Sequence, residues 1–329
     1  MGNITRVLSA CVLALSMCRA AAAEDCALKQ VASLPVHYEN HQMLVEIAVD
    51  DIPVNFLIDT GAEYSEIGQA LAARLQLPVK NIAGTSYGVG GAADIMMTTV
   101  PTLQMGRMTA HGQPFFVDQN FGDVQDGRLA GIFGADFLSN YGIEIDLPDQ
   151  KVNLYAQDHC PDRVVYWDSE YFKMPFDRGD RPVPKIKIAV ALDGHPLHGI
   201  LDTGASNTTL RLGTARSVFG YDETQAGDKT YPMSGAAART VLTAYRHQFA
   251  SLEFGAITLR NPTISIAPID AAKTSAPEVG THINTRKLEQ PEIYVGMDVI
   301  SKLRMFIDYR ASALYFTLAK PPAAAPAPK

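Results

Sequence analysis

The tripeptide Asp-Thr-Gly occurs twice in the chain, each time directly after an apolar segment. Asp59 follows residues 56–58 and Asp202 follows residues 199–201. One such motif is often a plain turn or a helix cap. Two carboxyl groups about 3 Å apart, however, cannot both ionise, so they share one proton over the acidic range. A pair of this kind can act on a water molecule as general base and general acid, which suits it to hydrolysis.

Both motifs belong to an internal repeat of four blocks. Gly134 to Asp146 and Gly296 to Asp308 span twelve residues each, and the other blocks keep the same order. The repeat predicts two copies of one β-rich domain with short strands and glycine-rich turns, and a twofold relation that brings the two aspartates together. The blocks are residues 47–49 with 56–62 and 188–190 with 199–205; 103–106 with 115–117 and 252–255 with 264–266; 132–136 and 294–298; and 145–154 and 307–316.

The repeat also sets the expected domain boundaries. Residues 159–184 should connect the copies, and the segments 164–166 and 171–172 inside the connection are candidates for strands that pair across the interface. The predicted divisions are a signal peptide at 1–23, a first lobe at 34–158, a connection at 159–184, a second lobe at 185–319 and a disordered Pro/Ala tail at 320–329.

The N-terminus has the three-part layout of a secretory signal peptide. Arg6 precedes an apolar run from Val7 to Met17, and small residues lead up to Ala23. That run is shorter than the ~20 residues needed to span a bilayer. Cleavage before Cys18, which would give a lipoprotein, is a second interpretation. The sequence therefore predicts a periplasmic or secreted protein.

Removal of residues 1–23 leaves 26 basic and 35 acidic residues, a formal charge of −9, which does not favour nucleic acid as a partner. It also leaves two cysteines, Cys26 and Cys160, near the two ends of the first copy. A disulfide between them is expected in an oxidising compartment, and two unpaired thiols are the alternative. Without a Cys/His cluster the sequence predicts no metal site and no cofactor.

The residues around the two aspartates resemble the active-site loops of the retropepsin-like aspartic proteases. Segments 57–62 and 200–205 both read apolar-apolar-Asp-Thr-Gly-Ala, and segments 132–134 and 294–296 look like the second signature of that family. The resemblance covers roughly residues 34 to 319. It implies an all-β fold of two homologous closed β-barrel lobes, a catalytic cleft between them, and a fused pseudo-dimer that is active as a monomer on peptide or protein substrates. Its catalytic residues would be Asp59 and Asp202, supported by Thr60, Gly61, Ala62, Thr203, Gly204 and Ala205.

Two glycine-rich segments are candidates for flaps that close over a substrate. In the first copy the candidate residues are Tyr87, Gly88 and Gly90, and Tyr87 is similar to the flap tyrosine of pepsins. In the second copy Ser234 and Gly235 hold the corresponding place. Ordinary surface turns are the alternative for both segments.

Asp136 and Asp298 also recur, and as first-turn residues of short helices they are expected to favour the N-terminal helix dipole rather than to catalyse. Two other functions remain open. One is a non-catalytic envelope protein that keeps the fold to bind extended peptides. The other is a duplicated scaffold that pairs with a membrane partner through exposed strand edges.

Overall fold

The structure, a computed structural model, confirms an all-β protein of two lobes. Most of the described chain is β-strand, arranged in a thirteen-stranded sheet and a nine-stranded sheet, with short helices between strands. No helix in this part of the chain is long and apolar enough to cross a membrane. The described residues are 27–88, 91–119, 129–160, 162–179, 183–224, 227–234, 241–269 and 291–320.

The strands of the first lobe alternate between core and outer positions, as half-buried strands do. In β7, for example, Phe115 and Val117 are buried while Phe116 and Asp118 lie on the other face. The elements are β1 Gln30–Glu39, β2 Gln42–Val49, β3 Ile52–Ile58, β4 Glu66–Gly68, α1 Gln69–Arg74, β5 Lys80–Gly88, β6 Gly91–Met105, β7 Met108–Asp118, β8 Leu129–Phe133, α2 Ala135–Leu138, β9 Gly142–Asp146 and β10 Lys151–Tyr155.

Six of these strands form a closed ring in the order β2-β3-β8-β4-β7-β6. The ring closes where β6 returns to β2, with Gln104 beside Ala48 and Leu103 beside Val49. Closure removes exposed strand edges and encloses an apolar core. The predicted barrel of the first lobe is therefore confirmed.

The second lobe repeats the arrangement with one interruption. The long strand β6 is matched by two strands, β16 and β17, and the ring is completed where the chain runs from one into the other. The connection contributes β11 Phe172–Pro175, and the elements of the second lobe are β12 Lys187–Leu192, β13 His195–Leu201, β14 Thr209–Arg211, α3 Leu212–Phe219, β15 Lys229–Met233, β16 Leu242–Gln248, β17 Ser251–Phe254, β18 Ile257–Arg260, β19 Thr263–Ala267, β20 Ile293–Val295, α4 Met297–Ile300, β21 Leu303–Asp308 and β22 Ala313–Leu318.

The first block of the repeat is shifted by two residues from the predicted pairing. The hairpin turns place Val49 opposite Ile52 in the first lobe and Leu192 opposite His195 in the second. Ile52 and His195 each precede their aspartate by seven residues. Val49 therefore corresponds to Leu192 in the second copy, and the predicted correspondence with Val190 is wrong. The prediction aligned the identical Ile-Ala-Val segments, whereas the position of the hairpin turn fixes the true alignment.

Six strands of the thirteen-stranded sheet join the two lobes as an antiparallel layer, in the order β11-β22-β21-β9-β10-β1. At its centre β21 pairs with β9, with Phe306 opposite Glu144. The connection contributes β11, which begins at Phe172, whereas residues 164–166 form no strand. Val164 is instead fully buried among aromatic side chains of this sheet, so its apolar character serves packing.

A buried ion pair crosses the joint between the lobes. Arg304 of the second lobe donates from Nε and Nη2 to Glu144 Oε1 at 3.0 and 2.7 Å, and its Nη2 lies 2.9 Å from Asp146 Oδ2. The Glu144 side chain is fully buried. Its second oxygen accepts hydrogen bonds from Asn153, Tyr155 and Tyr166. A buried charge satisfied on every side in this way fixes the relative placement of its neighbours.

Candidate active site

Each Asp-Thr-Gly motif begins where a buried strand ends beside a parallel neighbour. Asp59 follows β3, which pairs in parallel with β8, and its N–H donates to Phe133 O at 3.0 Å. Asp202 follows β13, which pairs in parallel with β20, and its N–H donates to Val295 O at 3.0 Å. The first and third blocks of the repeat are therefore adjacent strands in both lobes.

The two threonines bind each other's loops across the lobe interface. Thr60 N–H donates to Thr203 Oγ1 at 3.0 Å, and Thr203 N–H donates to Thr60 Oγ1 at 3.1 Å. Each hydroxyl then donates to a carbonyl of the opposite lobe, Thr60 to Leu201 O at 2.7 Å and Thr203 to Ile58 O at 2.6 Å. Both threonines are fully buried. These four bonds lock the two loops together.

The glycines let each carboxyl group lie over the opposite loop. A Cβ added at Gly61 would sit 2.4 Å from Asp202 Cγ, and one added at Gly204 would sit 2.2 Å from Asp59 Cγ. Such contacts are far shorter than van der Waals distance. The motif therefore requires glycine because of the partner lobe's aspartate.

Backbone donors hold both carboxyl groups in place. Asp59 Oδ1 accepts from Gly61 and Ala62 N–H at 2.8 and 2.9 Å. Asp202 Oδ1 accepts from the equivalent residues of its own loop, both at 3.0 Å. Ala62 O and its second-lobe counterpart in turn accept from the helices behind the loops. The predicted supporting alanines thus act through their backbones.

The two carboxyl groups interact directly. Each is half-buried by its exposed surface but densely surrounded by protein atoms. Burial raises the pKa of Asp59, although its backbone hydrogen bonds and a hydrogen bond with Asp202 act to lower it. Burial, and next the charge of Asp59, raise the pKa of Asp202 to about 8. The pair can therefore hold one proton well above the usual range of a carboxylic acid.

A lysine of the second lobe lies beside the first active-site loop. Lys185 Nζ of the second lobe donates to Gly61 O at 3.2 Å and lies 3.6 Å from Glu63 Oε1. Its charge acts to lower the pKa of both Asp59 and Asp202. Sequence reasoning missed Lys185, because its contact crosses 124 residues of chain.

A hydroxyl and a carboxylate support each loop from behind. In the first lobe Ser65 Oγ donates to Asp136 Oδ1 at 2.7 Å and accepts from Gly134 N–H at 3.0 Å. Thr208 Oγ1 makes the same pair of bonds, to Asp298 Oδ1 at 2.7 Å and from Gly296 N–H at 3.1 Å.

The recurring aspartates thus do more than favour a helix dipole. Asp136 and Asp298 accept hydrogen bonds from loop hydroxyls, and each is the second residue of a helix of only four residues. A signal for this role is present in the sequence. Ser65 and Thr208 each follow their Asp-Thr-Gly aspartate by six residues.

Both predicted flap segments lie at hairpins. The last described pair of β5 and β6 is Gly88 with Gly91, and that of β15 and β16 is Met233 with Leu242, next to Ser234. Tyr87 lies in β5, opposite Ala92. The other predicted flap residues, Gly90 and Gly235, lie outside the described residues. That these segments are flaps that close over a substrate stays a prediction.

Of the other predictions, the Cys26–Cys160 pairing stays a prediction because Cys26 lies outside the described residues. Within the described part of the chain, no group of three or more His, Cys, Asp or Glu side chains is placed to hold a metal ion.

Comparison with known proteins agrees with this geometry. A family model described as aspartyl protease matches residues 45–137 and 188–299, one region in each lobe. The matched regions contain both Asp-Thr-Gly loops. No curated protein sequence matches the chain significantly.

Proposed function

We propose that this chain, which belongs to the aspartyl protease family, is an endopeptidase whose acid–base pair is Asp59 and Asp202. The observation that carries the proposal is the mutual placement of the two carboxyl groups, each lying over the glycine of the opposite loop. A cleft that only binds peptides needs neither paired carboxyls nor glycines fitted to them. This rigid, reciprocal arrangement favours catalysis over the non-catalytic alternative.

The pair would work by sharing one proton. The ionised carboxylate takes a proton from a water molecule held between the two groups, while the protonated carboxyl donates a hydrogen bond to the scissile carbonyl. The water oxygen attacks the carbonyl carbon to give a tetrahedral intermediate. Transfer of a proton to the amine nitrogen then breaks the C–N bond and leaves a carboxylic acid and a free amine.

The surrounding residues would keep this chemistry aligned. The backbone N–H bonds to Asp59 and Asp202 orient Oδ1 of each carboxyl, so that the pair can present its other oxygens to substrate and water. The crossed threonine bonds hold the spacing between lobes. Small displacements matter, because a shift of ~1 Å can cost ~100-fold in rate. We further propose that the β5–β6 and β15–β16 hairpins close over the substrate and exclude water.

We also propose that the protein acts in the periplasm or outside the cell as a monomer, because residues 1–23 have the layout of a signal peptide and both lobes lie on one chain. A Cys26–Cys160 disulfide fits that compartment. Cell fractionation tests the location, and recovery of the protein in the cytoplasm would contradict it. Mass analysis of the secreted chain without reductant tests the disulfide.

The test of the proposal is cleavage of a diverse peptide library by purified residues 24–329 between pH 3 and pH 7. Wild type and Asp59→Asn are compared, with Asp51→Asn as the matched control, since Asp51 lies in an exposed turn at φ 63°, which Asn tolerates. We expect cleavage by wild type and by the control, and none by Asp59→Asn. A folded wild type that cleaves no peptide would overturn the proposal and favour a peptide-binding protein.

A further inference from the structure

One face of the first lobe carries two aromatic and two acidic side chains. In β4 and β7 the core-facing residues are Ile67, Phe115 and Val117. Glu66 pairs with Phe116 in the parallel register of these strands, so neighbouring side chains on the opposite face lie together. We call this face the first-lobe wall; it consists of Tyr64, Glu66, Phe116 and Asp118.

The aromatic half of the wall presents an accessible ring. Tyr64 lies five residues after Asp59, and its ring packs edge-on against Phe116 with centroids 4.6 Å apart and planes at 78°. Tyr64 is 42% exposed although it is a large aromatic residue. Aromatic faces that remain accessible beside acidic groups attract cations.

The acidic half is a second carboxyl pair beside the candidate catalytic one. Burial, and next the charge of Asp118 together with a hydrogen bond to it, raise the pKa of Glu66 to about 8. The charges of Asp59 and Asp136 act on the pKa of Glu66 in the same direction. Below that pH the Glu66–Asp118 pair shares a proton and carries about one negative charge.

The second lobe has no such charge at the corresponding positions. Thr209 pairs with Ser265 in parallel and with Tyr294 in antiparallel, as Glu66 pairs with Phe116 and Ile132. The counterparts of Glu66, Phe116 and Asp118 are therefore Thr209, Ser265 and Ala267. The duplicated fold needs no acid at these places, so packing of the fold alone does not explain the two acids of the first lobe.

We propose that the first-lobe wall is a specificity subsite that takes a cationic side chain, lysine or arginine, of the bound peptide. The inference rests on the proposed function, because it treats the space beside Asp59 as the substrate cleft. The ammonium or guanidinium group would lie against the Tyr64 ring and be balanced by the shared charge of Glu66 and Asp118. The preference would apply to one side of the scissile bond, since Thr209, Ser265 and Ala267 of the second lobe carry no negative charge.

Binding to catalytically silenced protein tests the proposal without requiring turnover. The Asp59→Asn form of residues 24–329 is titrated at pH 6 into fluorescent apolar decapeptides that carry one lysine at each position in turn. Norleucine, which has the same stem without the charge, replaces lysine in the matched set. We expect one lysine position to bind about tenfold more tightly than its norleucine match.

Three variants in the same background identify the residues responsible. Glu66→Thr with Asp118→Ala gives the first lobe the residues of the second, and should bring the lysine and norleucine peptides to equal affinity. Glu66→Gln with Asp118→Asn keeps the shape, removes the one negative charge that the pair carries at pH 6, and should lose most of the preference, which covers the case in which the first double variant does not fold. Glu253→Gln removes one exposed charge from β17 and should leave the preference unchanged.

Equal affinity of lysine and norleucine peptides at every position would overturn the subsite, whether or not the wild type cleaves them. A lysine preference that survives in either folded double variant, Glu66→Thr with Asp118→Ala or Glu66→Gln with Asp118→Asn, would also overturn it. Failure of the wild type to cleave any peptide, with the lysine preference intact, would overturn the proposed hydrolysis and leave the subsite standing. The two proposals therefore fail by different results.

Discussion

Replacement of Thr60 by valine should loosen the joint between the two active-site loops. Valine keeps the shape of threonine but removes the hydroxyl, which donates to Leu201 O at 2.7 Å and accepts from Thr203 N–H at 3.1 Å. Thr60 is fully buried, so water cannot replace either bond. Each buried group left without a partner costs ~1–3 kcal/mol. The expected loss in free energy of unfolding is therefore about 2–6 kcal/mol.

The same change should reduce turnover, because both lost partners belong to the loop that carries Asp202. If the loops shift by a fraction of an ångström, kcat should fall about tenfold or more, while KM changes less. Thr60→Ser is the matched control, since it keeps the hydroxyl. The measurements are chemical denaturation and kcat on one peptide substrate. If Thr60→Val equals Thr60→Ser in both, the crossed hydrogen bonds do not hold the site as argued.

Three further predictions concern the glycines, the shared proton and the lobe interface. Gly61→Ala would place its Cβ 2.4 Å from Asp202 Cγ and should lower kcat ~100-fold or more, whereas the control Gly213→Ala meets no atom within 4 Å and should leave kcat unchanged. Equal kcat values would contradict the close fit of Gly61 to Asp202. Because the pKa of Asp202 is raised to about 8, kcat/KM should fall as pH rises through that value, and a flat profile to pH 10 would contradict a required proton. Arg304→Met leaves the buried Glu144 without its cation and should lower the free energy of unfolding by ~3–5 kcal/mol in denaturation experiments. Adding Glu144→Gln should relieve the loss, and an unrelieved loss would contradict this explanation.

The repeat explains why the fold could be predicted from sequence. Gly134 and Gly296 follow Asp59 and Asp202 at different distances, 75 and 94 residues, yet local patterns identified both as the strand-ending glycine behind the loop. Their fit is visible in the structure, where a Cβ at Gly134 would lie 2.5 Å from Tyr64 backbone. The duplicated local motifs were therefore enough to predict the fold class and the pairing of the two aspartates.

The charged contacts between the lobes were beyond sequence reasoning, although the repeat predicted that Asp59 and Asp202 meet. The pairing of Glu144 with Arg304 joins residues 160 apart. The repeat does not mark this pair, because the residues that correspond to Glu144 and Arg304 in the other copy are Phe306 and Gly142. Lys185 was missed for the same reason. Long-range pairing depends on packing and charge across the whole fold, which local residue patterns do not record.

The most direct test of the central claim is kcat/KM for Asp59→Asn and Asp202→Asn on the best wild-type peptide substrate, with unfolding measured in parallel. The paired-carboxyl account predicts that each single substitution abolishes cleavage while the protein remains folded, and that Asp51→Asn cleaves like wild type. Wild-type turnover by either folded variant would contradict the account.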